Sequence, residues 1–132
     1  MMMVVDNFYH LIRNDLYERQ LISWFKQWNI SESIREALPE TGFIVDGIAA
    51  LFLYETNSKM CFIECLIRDK EATEEVSDKA IDLLIKHVLQ YAKEQKYKFI
   101  MSNTKYDRVV ELAEKHGFKT DKSNYKSFGR AL

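Results

Sequence analysis

MCFIECLIR, Met60–Arg68, followed by DKEATEEVS, Asp69–Ser77, and DKAIDLLIKHVLQYA, Asp78–Ala92, is the stretch on which the fold turns. The first segment reads as an apolar strand, the second as a tight acidic turn, the third as a long amphipathic helix. Val76, Ala80, Ile81, Leu84, Ile85, Val88, Leu89 and Ala92 recur at the three-and-four spacing of a buried stripe, with Glu75, Asp78, Lys79, Asp82, Lys86 and Lys93 mostly off it. Thr73 is placed to cap that helix, and Glu74 and Glu75 suit the positive end of its dipole.

Upstream, Met2–Val5 is a short apolar run with the look of an edge strand, and Phe8, Tyr9, Leu11 and Ile12 equally fit the start of a helix. From Asp15, a helical pattern puts Leu16, Leu21, Trp24, Phe25 and Trp28 near one side. Ser33-x-x-Glu36 is a capping box for a second short helix, Ser33–Leu38, ended by Pro39. GFIVDG, Gly42–Gly47, predicts a strand with Asp46-Gly47 as the turn into Ile48–Glu55, and Asn57 and Ser58 turn the chain again into Lys59–Arg68. Three strands joined by such short turns form an antiparallel meander. Downstream come a strand at Lys98–Ser102 and a helix at Lys105–Lys115. Gly117 and Phe118 mark that helix's end, and a last strand is expected over Tyr125–Leu132. Strand, helix, strand in succession is a crossover, so the expectation is an α/β fold whose mixed sheet runs antiparallel first and parallel later, with helices on both faces and the Lys59–Arg68 and Lys98–Ser102 strands parallel.

One domain, 1–132, suits a chain of 132 residues with 47% hydrophobic and 30% charged side chains, one proline and four glycines. No apolar run is long enough to span a bilayer and the start lacks the regions of a signal peptide, so a cytoplasmic location is expected. Cys61 and Cys65 are the two cysteines; on a regular strand they fall on one face about 13 Å apart, too far to bridge. With His10, His87 and His116 scattered, they make no metal site and read as reduced thiols. Charge is uneven: residues 1–85 hold 8 basic and 15 acidic side chains, residues 86–132 hold 11 and 5. That describes an acidic groove for a cationic partner, a basic edge for an anionic one, or two solvated faces that largely cancel.

Individual residues fit one family within this order of elements. IECLIRD, Ile63–Asp69, is similar to the fourth strand of the Gcn5-related N-acetyltransferase (GNAT) family, Leu83-Leu84 to the paired leucines of its long helix, and EKHGF, Glu114–Phe118, to its GF ending. The chain resembles a divergent member, of the small, glycine-poor kind carried by bacteriophages. The resemblance implies acetyl-coenzyme A as cofactor, with its thioester held by backbone groups of Leu66 and Ile67. A small-molecule or peptide amine would be the acceptor. Glu64 is the candidate base, with a solvated position on the sheet as the competing reading. Asn103 matches a polar position that orients acceptor or cofactor, or else caps the next helix. The family's frequent tyrosine acid falls on Ala113, which leaves Tyr106 as a substitute or as packing.

The family's Q/R-x-x-G-x-G/A loop, whose bare N–H groups cradle a pyrophosphate, corresponds to Glu75, Asp78 and Ala80. Both functional glycines are absent and the charge is reversed. Two unit charges about 5 Å apart at an effective dielectric near 20 interact by roughly 3 kcal/mol, so even heavily screened carboxylates there oppose a phosphate. Two functions therefore compete: an acyl-coenzyme A-dependent N-acyltransferase with a degenerate loop, or a non-catalytic binding or structural protein. The latter includes a virion component or host-protein binder, located in the host cytoplasm or virion, with the acids at Glu74, Glu75 and Asp78 receiving a basic protein. Nucleic-acid binding by Lys115, Lys119, Lys122, Lys126 and Arg130, interleaved with Phe118, Tyr125 and Phe128, is disfavoured by the slightly acidic whole and the lack of any recognition signature.

Overall fold

The computed structural model describes residues 3–7, 15–121, 126 and 128–132. Strands β1 (Val5–Asn7), β2 (Gly42–Val45), β3 (Ala49–Tyr54), β4 (Met60–Arg68) and β5 (Phe99–Ser102) lie in that order in a five-stranded sheet, antiparallel from β1 to β4 and parallel between β4 and β5. The parallel step is the expected crossover, since α2 (Glu74–Glu94) returns the chain from the end of β4 to the start of β5. Two further helices, α1 (Asp15–Gln27) and α3 (Asp107–Glu114), complete the α-helical set among the described residues.

Period-two alternation divides the apolar residues between two cores. Phe43, Val45, Leu51, Leu53, Cys61 and Ile63 point to one face, where Ala80, Ile81, Leu84, Ile85 and Val88 of α2 and Leu112 of α3 cover them. Ile44, Ala50, Phe52 and Ile67 point to the other, under Tyr17, Leu21, Trp24 and Phe25 of α1. Because both faces are covered, β2 is buried along its whole length.

The expected punctuation is present. Thr73 Oγ1 accepts from the Val76 N–H at 3.3 Å. Gly117, at φ +88°, ends α3 while Phe118 N–H reaches back to Ala113 O at 3.3 Å. Gly117 uses a conformation that glycine adopts without a Cβ penalty, as does Gly47 at φ +75° in the β2–β3 turn.

Four expectations are corrected. Leu16 is 55% exposed, and Tyr17 faces the core in its place. The Ser33–Leu38 helix is a 3-10 helix at Glu32–Ala37, started by Ser31, whose carbonyl accepts from Ile34 N–H at 3.2 Å. Lys126 and residues 128–132 form no strand; Phe128 and Leu132 are fully exposed, and a strand without a buried face has little to hold it. Tyr125 of that expected strand, Lys122 of the basic C-terminal surface, His10, and the alternative helix start at Phe8, Tyr9, Leu11 and Ile12 lie outside the described residues.

The fourth correction matters most. Phe52 pairs with Glu64 but Ala50 pairs with Ile67, so Cys65 and Leu66 both stand opposite Leu51: a β-bulge in the middle of β4, with Cys65 at φ +55°. The extra residue flips the alternation. Cys61 and Cys65 therefore lie on opposite faces rather than one, Cys61 in the α2-side core and Cys65 packed against the α1-side core.

Candidate functional site

The β4–β5 register runs from Met60↔Phe99 to Ile63↔Ser102 and stops there. Ser102 Oγ donates to Ile63 O at 2.9 Å, closing the seam at its last pair. β5 ends there, while β4 continues through its bulge to Arg68. The residues next along at this fork are Glu64 on β4 and Asn103 just past β5.

Asn103 lies near enough to the Glu64 carboxylate to favour its charged form. Glu64 pairs across the ladder with Phe52, whose side chain belongs to the α1-side core, so Glu64 points to that face. Burial raises its carboxyl above the ordinary value and the nearby Asn103 side chain draws it part of the way back. The adjacent Cys65 thiol is pushed up to about 11, by burial first and by the Glu64 charge second. Burial, Cys65 and Glu64 likewise raise the Tyr54 hydroxyl, which donates to Ala37 O at 3.1 Å. Tyr54 and Cys65 are members of this cluster that pattern reading missed. The bulge brings Cys65 beside Glu64, and nothing in the unbroken alternation Ile63, Cys65, Ile67 announces it.

The remaining sequence-derived residues are dispersed. Leu66 turns toward the α2-side core and Ile67 lies 4% exposed in the α1-side core, so a ligand in the fork meets their backbone rather than their side chains. Tyr106 is the N-cap of α3, 51% exposed, makes no side-chain capping bond, and has the Lys105 ammonium 5.5 Å from its ring centroid. Asn103 does not cap α3, since Tyr106 stands at that position. Among the described residues no three of His, Cys, Asp and Glu converge as metal ligands would.

The loop that would receive a pyrophosphate is short, acidic and without glycine. Helix α2 starts at Glu74, so Glu75, Asp78 and Ala80 are helical rather than part of an open loop. Of the donors at its entrance, Lys70 N–H goes to Gln27 Oε1 at 2.8 Å, Glu71 N–H to Asp69 Oδ1 at 3.0 Å, Ala72 N–H to Asp69 O at 3.1 Å and Ser77 N–H to Thr73 O at 2.9 Å, beside the Val76 cap. The nearby cations are also engaged. Arg68 and Lys70 sit 5.1 and 4.9 Å from the Trp28 ring centroid, Lys79 pairs with Glu75 at 3.4 Å, and Trp28 Nε1 donates to Arg68 O at 2.8 Å. Asp78 is held by Arg108 of α3 through bonds of 2.9 and 2.7 Å, and His116 pairs with Asp82 at 2.7 Å, clamping α3 onto α2. Asp78 is thus a tie between helices, and a patch for a basic partner is reduced to Glu74 and Glu75. Acetyl-coenzyme A does not fit this entrance in the usual way: the loop glycines are absent and the charges are acidic.

A groove of about 450 Å³ lined by Met3, Val76, Lys79, Asp82 and Leu83 lies between the β1 side and α2, away from the fork. No helix among the described residues is long and apolar enough to cross a membrane.

The fold is GNAT-like, a mixed α/β architecture with a mostly antiparallel five-stranded sheet and three α-helices among the described residues. A solved structure described as the crystal structure of a probable acetyltransferase shares it with a TM-score of 0.67 over 100% of this chain and 98% of that one, at 18% sequence identity. No protein-family model and no curated protein matches the chain.

Proposed function

We propose that this chain uses a GNAT-like fold for binding rather than for acetyl-coenzyme A chemistry. The observation that carries this is the first turn of α2, where Thr73 takes the Val76 donor and the exposed Glu74 and Glu75 bring negative charge to the place where the cofactor's pyrophosphate would lie. The whole of 1–132 acts as one domain in this reading, with a basic protein surface as partner at exposed Glu74 and Glu75. A divergent virion or host-binding component of the phage type fits the same features. Titration with acetyl-coenzyme A tests it by calorimetry and thermal shift. Ligand at one hundred times its dissociation constant stabilises a fold by about 2.7 kcal/mol, so a shift of several degrees at submillimolar cofactor overturns the reading and no shift at low millimolar supports it.

One observation favours a second reading, N-acyl transfer. Glu64, half-buried where the β4–β5 pairing ends and with Asn103 near it, is a carboxylate with a raised proton affinity. There Glu64 would take the proton of an amine that Asn103 orients, with Tyr106 as a donor nearby in sequence and the Leu66 and Ile67 backbone lining the fork. Turnover of an acyl donor by the native chain, lost in Glu64→Gln with the fold retained, distinguishes this reading from the first.

A further inference from the structure

Strand β5 is the last strand of the sheet, and its outer edge meets no strand among the described residues. Phe99 N–H donates to Lys59 O at 3.1 Å, so Phe99 turns its backbone groups toward β4. The groups alternate along a strand, which leaves the N–H and C=O of Ile100 facing the open edge. The same strand has an uncovered apolar face. Met101 pairs with Phe62, Phe62 with Tyr54, and Tyr54 packs in the α1-side core, so Phe99 and Met101 point to the α1 side. Helix α1, however, covers Ile67 and Cys65 at the far end of β4. Phe99 is left 65% and Met101 49% exposed. An edge strand carrying exposed large apolar side chains is a template for another strand unless something covers it.

The charge around this edge selects the occupant. Residues 95–106 contain Lys96, Lys98 and Lys105 and no carboxylate, and Lys59 flanks the same seam. Among the described residues none of these four lysines forms an ion pair with a carboxylate. The chain's own C-terminal segment, with Lys119, Lys122, Lys126 and Arg130, carries the same sign, as does the β5 edge of a second copy. Both meet like charge.

We propose that the β5 edge is a docking strand for an extended acidic peptide segment of a partner protein, with apolar side chains at alternate positions. The segment adds to the sheet through the Ile100 backbone, rests its apolar side chains on Phe99 and Met101, and sets its carboxylates against Lys96, Lys98 and Lys105. This surface is separate from the α2 entrance, so the proposal does not depend on whether coenzyme binds there.

The probe is a fluorescent peptide alternating valine with glutamate and aspartate, titrated against the full chain by anisotropy. Saturable binding is expected, weakened by about tenfold or more when alternate peptide nitrogens are methylated and by a similar factor in the Lys96→Glu/Lys98→Glu/Lys105→Glu and Phe99→Ser/Met101→Ser variants. Equal affinity of the methylated peptide, equal affinity of a version with lysine in place of the acids, or no binding at millimolar peptide overturns the proposal. Amide hydrogen exchange gives a check on the native chain alone: the Ile100 amide should exchange freely and slow by about tenfold or more on saturation. Protection of that amide in the unliganded monomer, or only on dimerisation, overturns it as well, because the occupant is then the chain's own tail or a second copy.

Discussion

The bulge in β4 and the first turn of α2, a few residues apart in sequence, are built on opposite terms. The bulge is part of the core: Phe52 beneath it is 1% exposed, Cys65 holds a left-handed backbone, and Glu64 is pressed into partial burial with Asn103 near it. The turn is a surface construction, in which exposed carboxylates decorate a helix end capped by Thr73, and Asp69 and Gln27 tie down the loop before it. A carboxyl forced into a core by packing takes on a raised proton affinity, whereas carboxylates on a solvated turn act mainly by repelling anions. A carboxylate with a raised proton affinity stands at the first place, and negative charge without loop glycines stands at the second.

The strongest way to break this contrast is to empty the core side of it. Phe52→Ala should cost about 3–5 kcal/mol in denaturant unfolding, and a loss under about 1 kcal/mol would mean that the bulge does not rest on the α1-side core. A smaller effect is expected from Cys65→Val, which puts a β-branched side chain at positive φ and should destabilise by about 1–2 kcal/mol, read by the same titration. On the turn, Thr73→Ala removes one cap and should cost about 1 kcal/mol in thermal unfolding.

Glu64 gives the contrast a pH signature. Its folded proton affinity is raised, so its contribution to stability is fully present below the unfolded value near 4.5 and is lost as pH rises through the higher folded value. Glu64→Gln should abolish that fall between acid and neutral pH in melting curves, and a wild-type profile unchanged by the substitution would place the carboxylate in solvent. The smallest effect belongs to Glu75→Gln. With only an exposed partner in Lys79 and the helix dipole, it should shift stability by less than about 0.5 kcal/mol.

Local pattern was enough for much of the fold. The apolar stripe of α2, the Asp46-Gly47 turn, the Thr73 cap and the Gly117 end are each specified by neighbours within a few residues, so their elements and the parallel β4–β5 step follow from the chain alone. The loss of the loop glycines is likewise a matter of composition. Tertiary structure decided the rest, because it depends on which distant residues meet. The pairing offset between β3 and β4 inserts Cys65 into a bulge and reverses the face on which it lies, although its alternation with Ile63 and Ile67 is perfect in sequence. Asn103, which equally suits a helix cap, becomes a neighbour of Glu64 only because β5 ends where the seam closes. Asp78, an acid at a helix entrance by sequence, becomes a tie to α3 once Arg108 reaches it. Alternation and capping are short-range and are written in adjacent residues; register, burial and ion pairing are set by the packing of segments that the linear order keeps apart.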